Sequence, residues 1–232
     1  MEIPQCWQDV ALLERAGVTR VILYGPPGMG KTFAAMGSSP AERLICTEDS
    51  TTADVTGMWQ PAAEGSWTWC DGPAIRAWRR GVRLVVDEVD RASGDVLSLL
   101  LAMTDSDESA RWIHPHTGEV VRPAPGFSVV MTSNMEHPDE LPAALRDRFP
   151  IAVAIDAPAP AAVNCLRGDL AQVAMGAGRS PSSRRISLRT LRAFDDLARH
   201  CGDVESARIV FGDKANDFLD ALAIGSAEMR AS

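Results

Sequence analysis

Five short apolar runs mark the first two thirds of the chain, at residues 21–24, 43–46, 82–86, 127–131 and 151–155, with polar or helix-period stretches between them. Runs of this length alternating with helical segments predict a parallel sheet whose two faces are both covered by helices. Apolar residues at Val96, Leu97, Leu99, Leu100 and Leu101 add a well-buried helix after the third run. After the fifth run the pattern changes. Asp156-Ala157-Pro158-Ala159-Pro160 contains two prolines, which bar a continued strand or helix, and the stretch reads as a hinge. Beyond it, residues 161–232 hold no convincing strand, and apolar residues recur at helical spacing in 188–199 and 217–223. The expectation is an α/β chain: an αβα sandwich on a five-stranded parallel sheet over residues 1–157, then a small α-helical domain over 158–232.

The first run leads directly into Gly25-Pro26-Pro27-Gly28-Met29-Gly30-Lys31-Thr32, followed by Phe33. Glycines at this spacing let backbone N–H groups turn inward around phosphate oxygens, Lys31 reaches the β- and γ-phosphates, and the Thr32 hydroxyl ligates Mg²⁺. A helix opening here aims its N-terminus at the same anion. Spacing, the Lys-Thr pair, the preceding strand and the following helix agree, which makes the sandwich a P-loop nucleoside triphosphatase with residues 25–33 against the nucleotide. ATP and Mg²⁺ are the implied ligands. The loop reads phosphates rather than bases, so ATP and GTP are not distinguished.

The third run closes on Asp87 and Glu88, at the sheet edge where open α/β sheets bind ligands. Asp87 is expected to hold Mg²⁺ through its water shell and Glu88 to polarise a water for in-line attack on the γ-phosphate. A solvated acidic turn is the plain alternative. The fourth run ends in Met131-Thr132-Ser133-Asn134, which places Asn134 at the same edge. There its amide holds the attacking water, touches the γ-phosphate, or simply caps a turn. Arg83 interrupts an apolar strand and is expected at its start, reaching solvent.

In chain order these pieces resemble the AAA+ ATPases, and within them the MoxR-like and dynein-related branch, over residues 20 to about 200. Residues 25–32 look like Walker A, 84–88 like Walker B, and 127–134 like the sensor-1 strand. Leu145-Arg146-Asp147-Arg148-Phe149 is similar to the arginine-finger segment, with Arg148 the first candidate and Arg146 the second, and Ser187-Leu188-Arg189 resembles the sensor-2 start. Trp67-Thr68-Trp69-Cys70-Asp71-Gly72-Pro73 looks like the segment before Walker B in MoxR-like proteins, and residues 112–125 like their hairpin before sensor 1. The resemblance implies a homo-oligomeric, hexameric ring with ATP at subunit interfaces. Its catalytic set would be Glu88, Asn134, Arg148, Arg146 and Arg189, with Arg148 serving the neighbour's nucleotide and Arg189 its own, and its metal ligands Thr32 and Asp87. It also implies a chaperone-like motor that remodels a protein partner, in some relatives one carrying a von Willebrand factor A domain. Asp90 departs from the usual pattern, which has Asn there, and the lid region is short.

Composition bears on the partners. Lys and Arg total 23 against 31 Asp and Glu, a net charge of −8 in 232 residues, which argues against a nucleic-acid coat or a membrane-surface role. It also weighs against the alternative of a DNA-transaction ATPase, a helicase loader or branch-migration motor. That alternative draws on Arg179, Arg184, Arg185, Arg189 and Arg192, which read equally as a solvated lid face. A nucleotide-bound scaffold without turnover is a third reading. Five cysteines without a C-x-x-C pair fit a reduced, cytoplasmic compartment, and the first residues lack the charged and apolar stretches of a signal peptide. No apolar run is long enough to span a bilayer. His114-Pro115-His116 brings no further ligand at metal spacing and reads as a solvated hairpin tip. Most of the six tryptophans are expected in the core or in subunit contacts.

Overall fold

The computed structural model describes residues 3–37, 39–105, 109–177 and 186–231; Arg179, Arg184 and Arg185 lie outside them. The chain divides into two compact units, one formed by Asp9–Gly25 with Lys31–Ala154, the other by residues 1–8, Pro26–Gly30 and the chain from Ile155.

In the first unit the strands are β1 (Arg20–Tyr24), β2 (Ala41–Ile45), β3 (Gly57–Pro61), β4 (Trp67–Asp71), β5 (Arg83–Asp87), β6 (Trp112–Ile113), β7 (Val120–Val121), β8 (Ser128–Ser133) and β9 (Ala152–Ala154). Five of them build one parallel sheet in the order β2-β5-β8-β1-β9, while β3-β4 and β6-β7 pair as antiparallel hairpins. The central strands are apolar at successive positions because both faces are covered. On one face Ile22, Leu84, Val86, Val129 and Met131 pack with Ile75 and Trp78 of the helix Pro73–Arg80 and with Val96 and Leu100 of the helix Gly94–Met103. One step along the strands, Val21, Leu23 and Val130 meet Val10, Leu13 and Ala34 on the other face, around a cavity of about 30 Å³. Trp78 is fully buried and anchors the first face; truncating such a residue to Ala costs about 3–5 kcal/mol.

Two local expectations are corrected. Arg83 does not reach out to solvent: its side chain is 16% exposed, donates to the Ala35 carbonyl and lies 3.5 Å from Glu14. His114 is no solvated tip. It is buried against Trp69 and Trp112, and its Nδ1 accepts the N–H groups of His116 and Thr117. Arg79 ties the two hairpins together by pairing with both Asp71 and Glu119.

The second unit is helical, with Pro160–Val163, Gly168–Ala177, Leu188–Cys201, Asp203–Phe211 and Ala215–Ala231, and no strand among its described residues. Leu170, Leu191, Phe194, Ala207 and Phe218 form its core, with the Phe194 and Phe218 rings 4.9 Å apart. Arg167 caps this core by stacking over Phe194 while pairing with Asp203. Neither strand nor helix runs through the two prolines, and Pro160 opens a helix. It occupies the first turn of Pro160–Val163, where a missing N–H costs nothing.

Candidate nucleotide site

Three adjacent strands carry the site at their carboxyl ends: Gly25 follows β1, Asp87 ends β5 and Asn134 follows β8. The register Tyr24↔Ser133 and Val86↔Met131 sets these ends level. Lys31, 6% exposed, donates its ammonium to the Gly25 carbonyl at 2.8 Å and to Asn134 Oδ1 at 2.9 Å. The Asn134 side chain thus faces Lys31, and its backbone N–H is held by Asp90 Oδ1 at 3.1 Å.

Thr32 Oγ1 donates to Asp87 Oδ1 at 2.8 Å. The Thr132 hydroxyl donates to the same oxygen, and Arg43 closes on Oδ2. Burial pushes the Asp87 carboxyl up. The hydrogen bonds from Thr132, Arg43 and Thr32 more than offset that, and the group titrates below the ordinary carboxylate range. A threonine hydroxyl beside an ionised carboxylate is a hard-oxygen donor pair, which fits Mg²⁺. The sequence assigned no role to Arg43 or Thr132, and marked Asp90 only as a departure from the pattern of the family it resembles. Thr132 was legible in principle, since it lies two residues before Asn134 and shares its strand face.

Glu88 sits at φ 57°, ψ 48°, a left-handed conformation that costs a side-chain-bearing residue on the order of 1 kcal/mol. Its N–H donates to Thr132 Oγ1 at 3.1 Å, and its carboxylate pairs with Arg91 at 3.1 Å. Cys46 is buried close by. Burial first, then the charges of Asp87, Asp90 and Glu88, pushes its thiol up to about 11.

In the helical unit the loop residues Pro26–Gly30 pack closely. Gly28 has φ 79°, and a Cβ there would come within 2.6 Å of the Ser187 Cβ. Ser187 caps the helix Leu188–Cys201 through the Thr190 N–H, and the Met29 carbonyl accepts from the Ala159 N–H at 3.0 Å. Met29 is buried, whereas Phe33 of the sheet unit is 67% exposed.

Arg146 and Arg148 end the short helix Ala143–Arg148, held by the buried Leu145 and Phe149. Arg146 pairs with Asp139 at 2.9 Å. Arg148 reaches the Ala144 carbonyl, and its Nε is buried without a partner. Neither bonds to Thr32, Asp87, Glu88 or Asn134 within this chain. Arg189 is exposed in the first turn of Leu188–Cys201.

Fold and site together define a P-loop α/β nucleotide-binding protein. The family model described as the AAA domain of the dynein-related subfamily matches residues 20–149, over half of the chain, and the chain belongs to that AAA+ ATPase family. An uncharacterized protein of Staphylococcus epidermidis is 33% identical over 147 residues, 59% of this chain and 55% of that protein. One from Staphylococcus aureus is 32% identical over 140 residues, 56% and 52% respectively. The chain spans about half the length of the curated relatives it matches. A crystal structure from Cytophaga hutchinsonii resembles 65% of this chain and 46% of its own, at 22% identity and TM-score 0.48. Among the described residues no helix is long and apolar enough to cross a membrane, and no His, Cys, Asp and Glu residues group as a metal site.

Proposed function

We propose that this protein is a Mg²⁺-dependent ATP hydrolase of the cytoplasm that works as a ring-forming, MoxR-like motor on a protein partner, with a nucleotide-binding domain over 1–157 and a helical lid over 158–232. The observation that carries this reading is the convergence of Lys31, Thr32, Asp87 and Asn134 at the ends of adjacent strands. Lys31 and the backbone N–H groups of residues 25–33, other than Pro26 and Pro27, would hold the phosphates. Thr32 and Asp87 would hold Mg²⁺, which supplies positive charge against the transferring phosphoryl oxygens.

Glu88 would take a proton from the attacking water, and Asn134, fixed by Lys31 and Asp90, would orient that water. Arg148 would act in a neighbouring subunit's site, with Arg146 beside it, and Arg189 would couple the lid to phosphate occupancy. A charge supplied in trans contributes on the order of a thousand-fold or more to phosphoryl transfer. A partner with a von Willebrand factor A domain is one form the protein substrate would take. The DNA-motor alternative draws on Arg179, Arg184 and Arg185, outside the described residues, on the exposed Arg189, and on Arg192, which lies 3.9 Å from Asp196. The test is ATP turnover by wild type against Lys31→Ala and Glu88→Gln; equal rates in all three would contradict the site assignment.

A further inference from the structure

Asp87 has two carboxylate oxygens and three donors, and one donor is a cation. Thr32 and Thr132 share Oδ1, while Arg43 takes Oδ2. Strand geometry brings the arginine there. Arg43 is opposite Val85 and Ile45 is opposite Asp87, so Arg43 and Asp87 project from one face of the sheet as diagonal neighbours. Such neighbours are about 7–8 Å apart, within reach of a long side chain.

The pair is lopsided. The Asp87 side chain is 6% exposed and that of Arg43 is 42% exposed, on a strand at the edge of the sheet. One partner is fixed and dry, and the other is tethered with water behind it. A buried carboxylate without a counter-charge is strongly unfavourable, and Arg43 supplies that charge. Its exposure also gives the guanidinium a path back to solvent along its apolar stem. Nearby Glu42 is already engaged by Arg76 and Arg80.

Resting on the nucleotide-site reading above, we propose that Arg43 is a resident counter-ion of Asp87 which a divalent metal must displace, so that Arg43 sets the metal affinity of the site without contributing to phosphate binding. The guanidinium and the divalent ion compete for one negative charge. If Arg43 instead only oriented the carboxylate, its loss would weaken metal binding, so the two roles predict opposite signs.

The experiment is a Mn²⁺ titration of wild type, Arg43→Gln, Arg43→Met and Arg43→Lys in the presence of ADP, read by the electron paramagnetic resonance of free Mn²⁺. ADP binding in EDTA and a thermal melt are run on the same samples. A charge-assisted hydrogen bond from a half-exposed arginine corresponds to about a ten-fold tightening of Mn²⁺ binding in the two neutral variants. Arg43→Lys, which keeps the charge, stays closer to wild type, and metal-free ADP affinity is unchanged in all. Arg43→Met keeps the apolar stem and carries the test should Arg43→Gln fail to fold. ADP binding accompanied by equal or weaker Mn²⁺ affinity in the folded neutral variants overturns the role of Arg43 alone. No ADP binding by wild type, with or without metal, overturns the nucleotide-site reading and this proposal with it.

Discussion

The Lys31 ammonium donates to the Asn134 amide oxygen at 2.9 Å, joining residues 103 positions apart in the chain. The contact links Lys31 to the end of β8 and leaves Asn134 little freedom, since Asp90 also holds its backbone N–H. Removing the lysine and removing the amide are therefore expected to differ. Lys31→Ala lowers affinity for a fluorescent ATP analogue by at least about ten-fold, the loss expected for a charge-assisted phosphate contact. Asn134→Ala keeps that affinity and lowers kcat by roughly a hundred-fold, as for one lost transition-state donor. Analogue titration and steady-state phosphate release separate the two. A loss of binding in Asn134→Ala equal to that in Lys31→Ala would show that the amide acts only by holding the lysine.

Glu88 combines its proposed role as general base with a left-handed backbone. Glu88→Gln should retain nucleotide and lower turnover by about 10²–10⁴, the usual contribution of a general base. Comparing Glu88→Gly with Glu88→Ala isolates the backbone, because neither has a carboxylate and only glycine adopts φ 57° freely. The glycine variant should be more stable by on the order of 1 kcal/mol, or about 2–4 °C in Tm for a chain of this size. Equal melting temperatures would mean that the conformation stores no strain.

The depressed Asp87 carboxyl gives a signed pH dependence. A group whose folded pKa lies below its unfolded value contributes stability that is fully present above the unfolded value and is lost as pH falls through the folded one. The unfolded value is about 3.9. The stability difference between wild type and Asp87→Asn should therefore be constant near neutrality and narrow as pH falls below about 4. Thermal melts across pH 3–7 check this, and a difference that widens on acidification contradicts it.

Cys46 should be inert. Its thiol is buried and pushed up to about 11, while Cys165 and Cys201 are exposed. At pH near 8 iodoacetamide should label Cys165 and Cys201 in the native protein, and Cys46 only after unfolding, as mapped by peptide mass spectrometry. Native labelling at Cys46 would show that the end of β2 opens.

The central strands β1, β5 and β8 lie within two residues of an apolar run, because a strand buried on both faces has to be apolar at successive positions; the edge strands β2 and β9 do so too, although most of their positions are only partly buried or exposed. The phosphate loop and the acidic end of β5 were equally legible, since their chemistry is local in sequence. The β3-β4 hairpin was not. It pairs Trp59 with Trp69 and depends on Gly57, at φ 124°, where a Cβ would come within 2.3 Å of the Cys70 carbonyl; that close approach exists only once the strands meet. Arg43 had no local signal either, because its partner Asp87 is 44 residues away and is reached only through the β2-β5 register. Asp90, one position before Arg91 and far from Asn134 in sequence, is brought to it by the fold. Its carboxylate oxygen accepts the Asn134 N–H, a role an asparagine oxygen would also fill.

Hydrolysis at a site completed by a neighbouring subunit, as proposed, is tested by the ATPase rate per subunit against protein concentration for wild type and Arg148→Ala. The wild-type rate should rise with concentration, and Arg148→Ala should bind ATP but stay inactive throughout. A wild-type rate independent of concentration, matched by Arg148→Ala, would contradict that proposal.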